Sequence, residues 1–202
     1  MKRAQHPTRE RLIEVTVELL ASKGPGEINV DEVLSASGIS KGSLYHHFED
    51  LADLVDEALA YRFAHYVDLS IDSIVPIMSA AKTKEDIFAG IAKITEATQS
   101  VDFRGNRLER IQTVGRAARN PHLRELINAE QRRLNGALAD LIREAQIQGW
   151  FSREFDAMSA AVLIQAYTLG RALDDITDPH VDPDKWTNLI HRLVEKTFAP
   201  EA

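Results

Sequence analysis

Residues 28–54 read INVDEVLSASGISKGSLYHHFEDLADL, and this stretch decides the fold. Its spacing predicts two short helices joined by a tight turn. The first runs from Val30 to Ala36. Asn29 stands before it, and its side-chain oxygen can accept one of the backbone N–H groups that a helix start leaves unpaired. Glu32 follows at capping-box spacing, and Ile28 with Val33 suits a hydrophobic staple. Gly38 can adopt the left-handed conformation that ends a helix. The second helix repeats the device: Ser40 caps, Ser43 takes the third helical position, and Ile39 can staple to Leu44.

Val33, Leu34, Ile39, Leu44 and Phe48 are apolar at spacings that meet across two crossing helices. The other side of the second helix holds Lys41, Gly42, Ser43, Tyr45, His46 and His47. Small residues let the backbone approach a surface closely. The cation, phenol and imidazoles are donors suited to phosphate oxygens and base edges. Two helices joined through a glycine turn match a helix-turn-helix, with the second presenting its N-terminal end.

The segment GISKGSLYHHF, after a capped helix and before an acidic-apolar one, closely resembles the DNA-binding domain of TetR-type (TetR/AcrR) bacterial regulators. Gly38, Ser40, Gly42, Leu44, Tyr45, His47 and Phe48 fall in that family's order, and the resemblance covers about residues 8 to 60. It implies DNA contacts from Thr8, Asn29, Ser40, Lys41, Gly42, Ser43, Tyr45, His46 and His47. Lys41, Gly42 and His46 would meet base edges; Ser43, Tyr45 and His47 would hold phosphates. Two positions depart from the family: Leu51 stands where many relatives carry lysine, and Asn29 where many carry threonine. The first loses a phosphate contact; the second keeps the cap.

Composition bounds the alternatives. With 44% hydrophobic and 27% charged residues, the 202-residue chain reads as a soluble globular protein of one or two domains. It has no cysteine, which excludes disulfides, thiolate zinc sites and cysteine nucleophiles. No apolar run approaches the roughly 18 residues of a membrane span, and no apolar core follows the basic start, so a cytoplasmic location is expected. The net charge of −7 disfavours a nonspecific nucleic-acid binder. Residues 1–50 themselves carry six Lys/Arg against eight Asp/Glu. DNA affinity would rest on locally placed cations: Lys2 and Arg3 read either as a disordered terminus or as an arm toward phosphate, and Thr8, Arg9 and Arg11 at the first helix start either as phosphate contacts or as a solvated helix end.

Outside the motif the chain reads as helix throughout, all-α with about nine helices. One opens at Pro7 and stops before Gly24-Pro25-Gly26. A long one starts at the Asp50 cap and ends between Tyr66 and Ser73, with Pro76 marking a break. Others span 84–100, 106–119 and, after the Asn120-Pro121 start signal, 121–148. A helix capped by Asp156 runs to about Thr177, rich in small residues, and a last one carries Trp186 to Phe198. The expected organisation is an N-terminal three-helix DNA-binding domain (1–50, motif about 29–48) and a larger C-terminal ligand-binding and dimerisation domain (51–202). In the family the connecting helix carries ligand occupancy to the DNA.

The last two helices have wide apolar faces, which either close the monomer core or join two copies. The family uses them for dimerisation, so Tyr167, Gly170, Leu173, Trp186, Leu189, Ile190 and Leu193 are the interface candidates. Phe63, Tyr66, Phe88, Ile91, Phe103, Val114 and Tyr167 are candidates to line a pocket for a small apolar effector, the alternative for each being plain core. Arg107, Arg110 and Arg116 share a helix and could meet an anionic ligand or solvate the helix. No nucleophile elbow, phosphate loop or zinc-helix signature appears, and no cofactor is implied. The Asp178–Asp184 turn only faintly echoes a calcium loop, lacking its glycine; no metal is expected. His65 with Asp68 reads as an exposed pair. The expected function is a homodimeric DNA-binding repressor on a near-palindromic operator, released by an effector. The alternative is an all-helical binding or enzymatic bundle whose helix-turn-helix is only structural.

Overall fold

Capping residues decide where the N-terminal helices begin. A computed structural model describes residues 6–200, so Lys2 and Arg3 lie outside the described residues. Helix α1 (Pro7–Leu20) starts on its proline. Helix α2 (Val30–Ser37) is capped by Asn29, whose Oδ1 accepts the Glu32 N–H at 3.0 Å, and ends at Gly38 with φ +69°. Glu32 pairs with Lys23 at 2.5 Å. Helix α3 (Lys41–His47) is capped by Ser40, which accepts the Ser43 N–H at 3.2 Å. Val33, Leu44 and Phe48 are buried, and α1 packs on both α2 and α3 through residues such as Leu12 and Val15. Each such fully buried side chain contributes roughly 1.5–3 kcal/mol.

Helix α4 (Leu51–Ala80) is 30 residues long and passes through Pro76. The expected break there does not occur. Proline removes one helical N–H, the one that would reach the Asp72 carbonyl. Asp72 and Pro76 are both exposed, so water can take that carbonyl. Helix α5 (Lys84–Gln99) begins with a complete capping box of Thr83 and Asp86. Helices α6 (Arg104–Ala117) and α7 (Pro121–Ile147) flank Asn120, whose Oδ1 accepts the Leu123 N–H. Gly149, with φ +75°, follows α7. Asp156 caps α8 (Ala157–Gly170). The helix expected to reach Thr177 in one piece is interrupted at Gly170–Arg171, and α9 (Ala172–Asp175) is a single turn. Glycine is a poor helix former, and the backbone stays right-handed at Arg171. Asp182 caps α10 (Pro183–Phe198). Among the described residues every regular element is helical.

Two units cluster by contact. The first holds the chain up to Tyr66 together with Arg116–Asn128; the second holds Val67–Gly115 and Ala129 onward. Within the first, Asp56 of α4 is 3% exposed and accepts from Arg116 Nε at 2.8 Å and from the Asn120 amide. Within the second, α5 packs against α10 and α8. Gly90 makes one close approach possible: a Cβ there would lie 2.0 Å from Ile77 Cγ2. Phe88, Phe151, Phe198 and Phe155 form a file of ring contacts at 5.1–5.5 Å. Arg107 is 1% exposed. It grips Asp175 through Nε and Nη2, both at 2.7 Å, and the Thr98 and Ser100 carbonyls through Nη1.

Candidate nucleic-acid interface

On α3 the 3.6-residue repeat separates Leu44, buried, from Lys41, Gly42, Tyr45 and His46, all exposed. Tyr45 is 44% exposed, large for an aromatic side chain on so short a helix. Ser43, His47 and Thr8 are half-buried, while Asn29 and Ser40 are exposed and use their side chains as caps. The nine residues implied by the resemblance are thus all reachable from outside.

The charges sort themselves. Arg9 pairs with Glu57 at 2.5 Å and lies 5.2 Å from the centre of the Phe48 ring, so it is engaged within the unit and is neither a free cation nor simply solvated. Arg11 lies 3.6 Å from Glu14, and Lys23 is held by Glu32. Lys41 has no ion pair among the described residues. On the same helix, the His47 ring meets His6 in a tilted contact (4.7 Å) and His46 edge-on (5.1 Å). Burial pushes the His47 pKa down, and the His6, His46 and Arg9 charges push it further, so the ring is neutral at pH 7. The outer face of α3 therefore offers one unneutralised cation, a phenol, imidazoles and a glycine over which backbone can approach. Such a set makes hydrogen bonds to phosphates and base edges and has no evident covalent chemistry.

The other candidate residues divide. Phe63 is buried, and Tyr66, Ile91, Phe103 and Tyr167 are half-buried. Phe88 is committed to the aromatic file, and Val114 is 44% exposed. Burial pushes the Tyr167 phenol up in pKa, with the Thr95 hydroxyl holding it partly back. Among the interface candidates, Leu173 (76%), Leu189 (57%) and Leu193 (41%) are exposed, and Tyr167 and Gly170 are half-buried. Ile190 is not available: it is 4% exposed and points with Val194 and Phe198, one and two turns on, into its own unit. Trp186 is half-buried and donates to Gln99 Oε1 at 2.8 Å.

None of Arg107, Arg110 and Arg116 simply solvates α6. Arg107 and Arg116 end on carboxylates, and Arg110, 5% exposed, reaches the Gln131 and Gln165 amide oxygens at 3.5 and 3.4 Å. Asp68 pairs with Arg133 at 2.5 Å, not with His65. Of the Asp178–Asp184 acids, Asp182 caps α10, accepting the Asp184 and Lys185 N–H groups. One grouping went unseen in the sequence. Asp53, Glu57 and His122 bring ligand atoms within 4.8 Å of one another. Asp53 lies 3.1 Å from His122 Nε2 and Glu57 pairs with Arg9, so the cluster is a polar network joining α1, α4 and α7. Residues so far apart in the chain carry no local signal of their meeting.

Comparison with known proteins names the fold. The family described as bacterial regulatory proteins, tetR family, matches residues 12–58, the segment that builds α1 to α3 and the start of α4. The C-terminal part of BetI-type transcriptional repressors matches residues 110–199. The chain belongs to the TetR family. It is similar to the HTH-type transcriptional regulator UidR of Escherichia coli (strain K12), 23% identical over 86% of this chain and 84% of that protein. Over 32% of the chain it is 36% identical to the HTH-type transcriptional repressor KstR2 of Mycobacterium tuberculosis (strain ATCC 25618 / H37Rv), of which 34% is covered. Salmonella enterica GusR shares the TetR fold with a TM-score of 0.67 at 19% identity, over 96% of this chain and 97% of that one. A putative transcriptional regulator from Saccharomonospora viridis, solved in complex with choline, has a TM-score of 0.69 at 22% identity, over 98% and 100%. TetR-family proteins are DNA-binding transcriptional regulators and not enzymes, and this chain is one of them. Among the described residues no helix is long and apolar enough to cross a membrane.

Proposed function

We propose that the protein is a homodimeric repressor that binds a near-palindromic operator and is released by a small effector. The supporting observation is the outer face of α3: exposed Lys41, Gly42, Tyr45 and His46, with Lys41 free of any ion pair among the described residues. In this reading each subunit places α3 in a major groove, and the two copies of α3 lie about 34–36 Å apart or somewhat more. Residues 1–50 act as the DNA-binding domain and 51–202 as the effector-binding and dimerisation domain. Val162, Leu163, Leu173, Leu189 and Leu193 are each more than 40% exposed, and a second copy of α8 and α10 covers them. The effector acts by preferring one state of the dimer; a tenfold loss of operator affinity requires about 1.4 kcal/mol of differential binding.

A gel shift against the DNA flanking the protein's own gene tests this. Lys41→Ala and Tyr45→Ala each abolish the shift while the dimer persists. If neither substitution matters, or no fragment is retained by the wild type, the helix-turn-helix is structural and the repressor reading fails.

A further inference from the structure

A second polar group lies in the interior of the C-terminal unit, at the level where α5, the α8–α9 junction and α10 meet. Gln99, near the end of α5, is 4% exposed. Its Oε1 is used by the Trp186 indole N–H, but its Nε2 is buried and has no hydrogen-bond partner. Arg171 is also 4% exposed. Its Nη2 lies 3.3 Å from Asp174 Oδ2, while Nε and Nη1 are buried without a partner. The guanidinium stands 5.3 Å from the centre of the Trp186 ring. Trp186 therefore touches both residues, Gln99 through its N–H and Arg171 through its face.

The surrounding charge is not balanced. Asp174 and Asp175 are the carboxylates at this corner. Asp175 is spent on Arg107, and its backbone carbonyl takes Arg104. Asp174 is shared between Arg171, the Val181 N–H and His180, whose Nδ1 lies 3.9 Å away. Three guanidiniums thus face two carboxylates. The unmet atoms of Gln99 and Arg171 are all donors, Gln99 Nε2, Arg171 Nε and Arg171 Nη1, while Thr95 Oγ1 on α5 and His191 Nε2 on α10 are also buried without a partner. Buried donors without acceptors are costly, most of all on a charged group. A water molecule would meet one or two of these donors but brings no charge to set against the guanidinium. A carboxylate, which only accepts, suits it well. Trp186, which touches both residues, is half-buried and sits in the first turn of α10, after the exposed turn at 177–182. On α8, Tyr167 lies one turn before Arg171, linking this corner to a residue already named as pocket lining.

We propose that Arg171, Gln99 and Trp186 form a receiving site for the carboxylate of a small aromatic acid, with Trp186 as the wall against its ring, and that this is the effector class. The proposal rests on reading the protein as an effector-responsive regulator. It departs from a wholly apolar effector and from a cation such as the choline held by the Saccharomonospora viridis regulator.

The test uses the full chain carrying Trp150→Phe, so that fluorescence reports Trp186 alone. Sodium benzoate is the probe, with benzamide as its neutral counterpart and choline chloride as the opposite charge. Benzoate quenches the fluorescence saturably and raises the melting temperature. Benzamide binds at least tenfold more weakly, and choline gives neither effect. Arg171→Met abolishes the response. Gln99→Glu keeps an acceptor for the Trp186 N–H and supplies an internal carboxylate to Arg171, so it raises the melting temperature yet loses benzoate binding. A site that merely holds helices together would not pair those two results. The proposal is overturned if benzoate does not bind saturably, if benzamide or choline binds as well, or if Gln99→Glu binds benzoate like the wild type. Gel shifts on the same preparations separate the two readings. Retained DNA binding with no benzoate response sinks the carboxylate site alone, whereas loss of DNA binding by the wild type sinks the regulator.

Discussion

Asp175→Asn isolates the largest single electrostatic commitment in the C-terminal unit. Arg107 is 1% exposed and its guanidinium makes two 2.7 Å bonds to the Asp175 carboxylate. Asparagine keeps the size and one acceptor oxygen but removes the charge and sets an NH2 against the guanidinium, leaving Arg107 a buried cation with only neutral partners there, that oxygen and the Thr98 and Ser100 carbonyls. Breaking a buried pair from one side costs about 3–5 kcal/mol. For a chain of this length each kcal/mol moves the melting temperature by roughly 2–4 °C, so the expected drop is about 6–20 °C. Burial pushes the Asp175 carboxyl up, but the Arg107 hydrogen bonds and the Arg107, Arg104 and Arg171 charges outweigh it and hold the pKa below the usual range. A folded pKa below the unfolded one gives stability that is complete above about pH 4 and is lost as pH falls through the folded value. Urea unfolding at pH 7 and at steps below pH 4 should show wild type and variant far apart at pH 7 and converging in acid. The double substitution Arg107→Met with Asp175→Leu should cost less than Asp175→Asn alone, since no charge is left stranded. A single-variant cost under about 1 kcal/mol, well below that expected for a buried pair, or a gap that ignores pH, would refute the reasoning.

Three further outcomes follow from single residues. Gly90→Ala should destabilise by about 1–2 kcal/mol in urea, because the new methyl meets Ile77 and overpacking outweighs the gain in helix propensity; a stabilised variant would show that the two helices yield freely there. Pro76→Ala restores a helical N–H in an exposed stretch of α4 and should raise stability by about 1–3 kcal/mol, with a drop in the denaturation midpoint counting against the account of that helix. His47, its pKa depressed by burial and by its cationic neighbours, favours the fold above about pH 6.5 and loses that contribution as pH falls through its folded value. His47→Asn should therefore flatten the fall in stability between pH 7.5 and pH 5, and an unchanged slope would assign it to other groups.

The sequence by itself determined where helices start and what the motif is. Asn29, Ser40, Asp50, Asn120 and Asp156 cap as their positions foretold, because a cap bonds to a backbone N–H only two or three residues away. The polar face of α3 was legible for the same reason: the helical repeat alone sets it opposite Leu44. Tertiary structure decided what distance in the chain conceals. Arg107 finds Asp175 68 positions away, Arg116 finds Asp56, and Gln99 finds Trp186, and no periodicity announces such meetings. It also decided that α4 runs through Pro76 and that Ile190 turns inward while Leu189 faces out. Those outcomes depend on which surfaces are covered, and covering is a property of packed elements, not of any one of them.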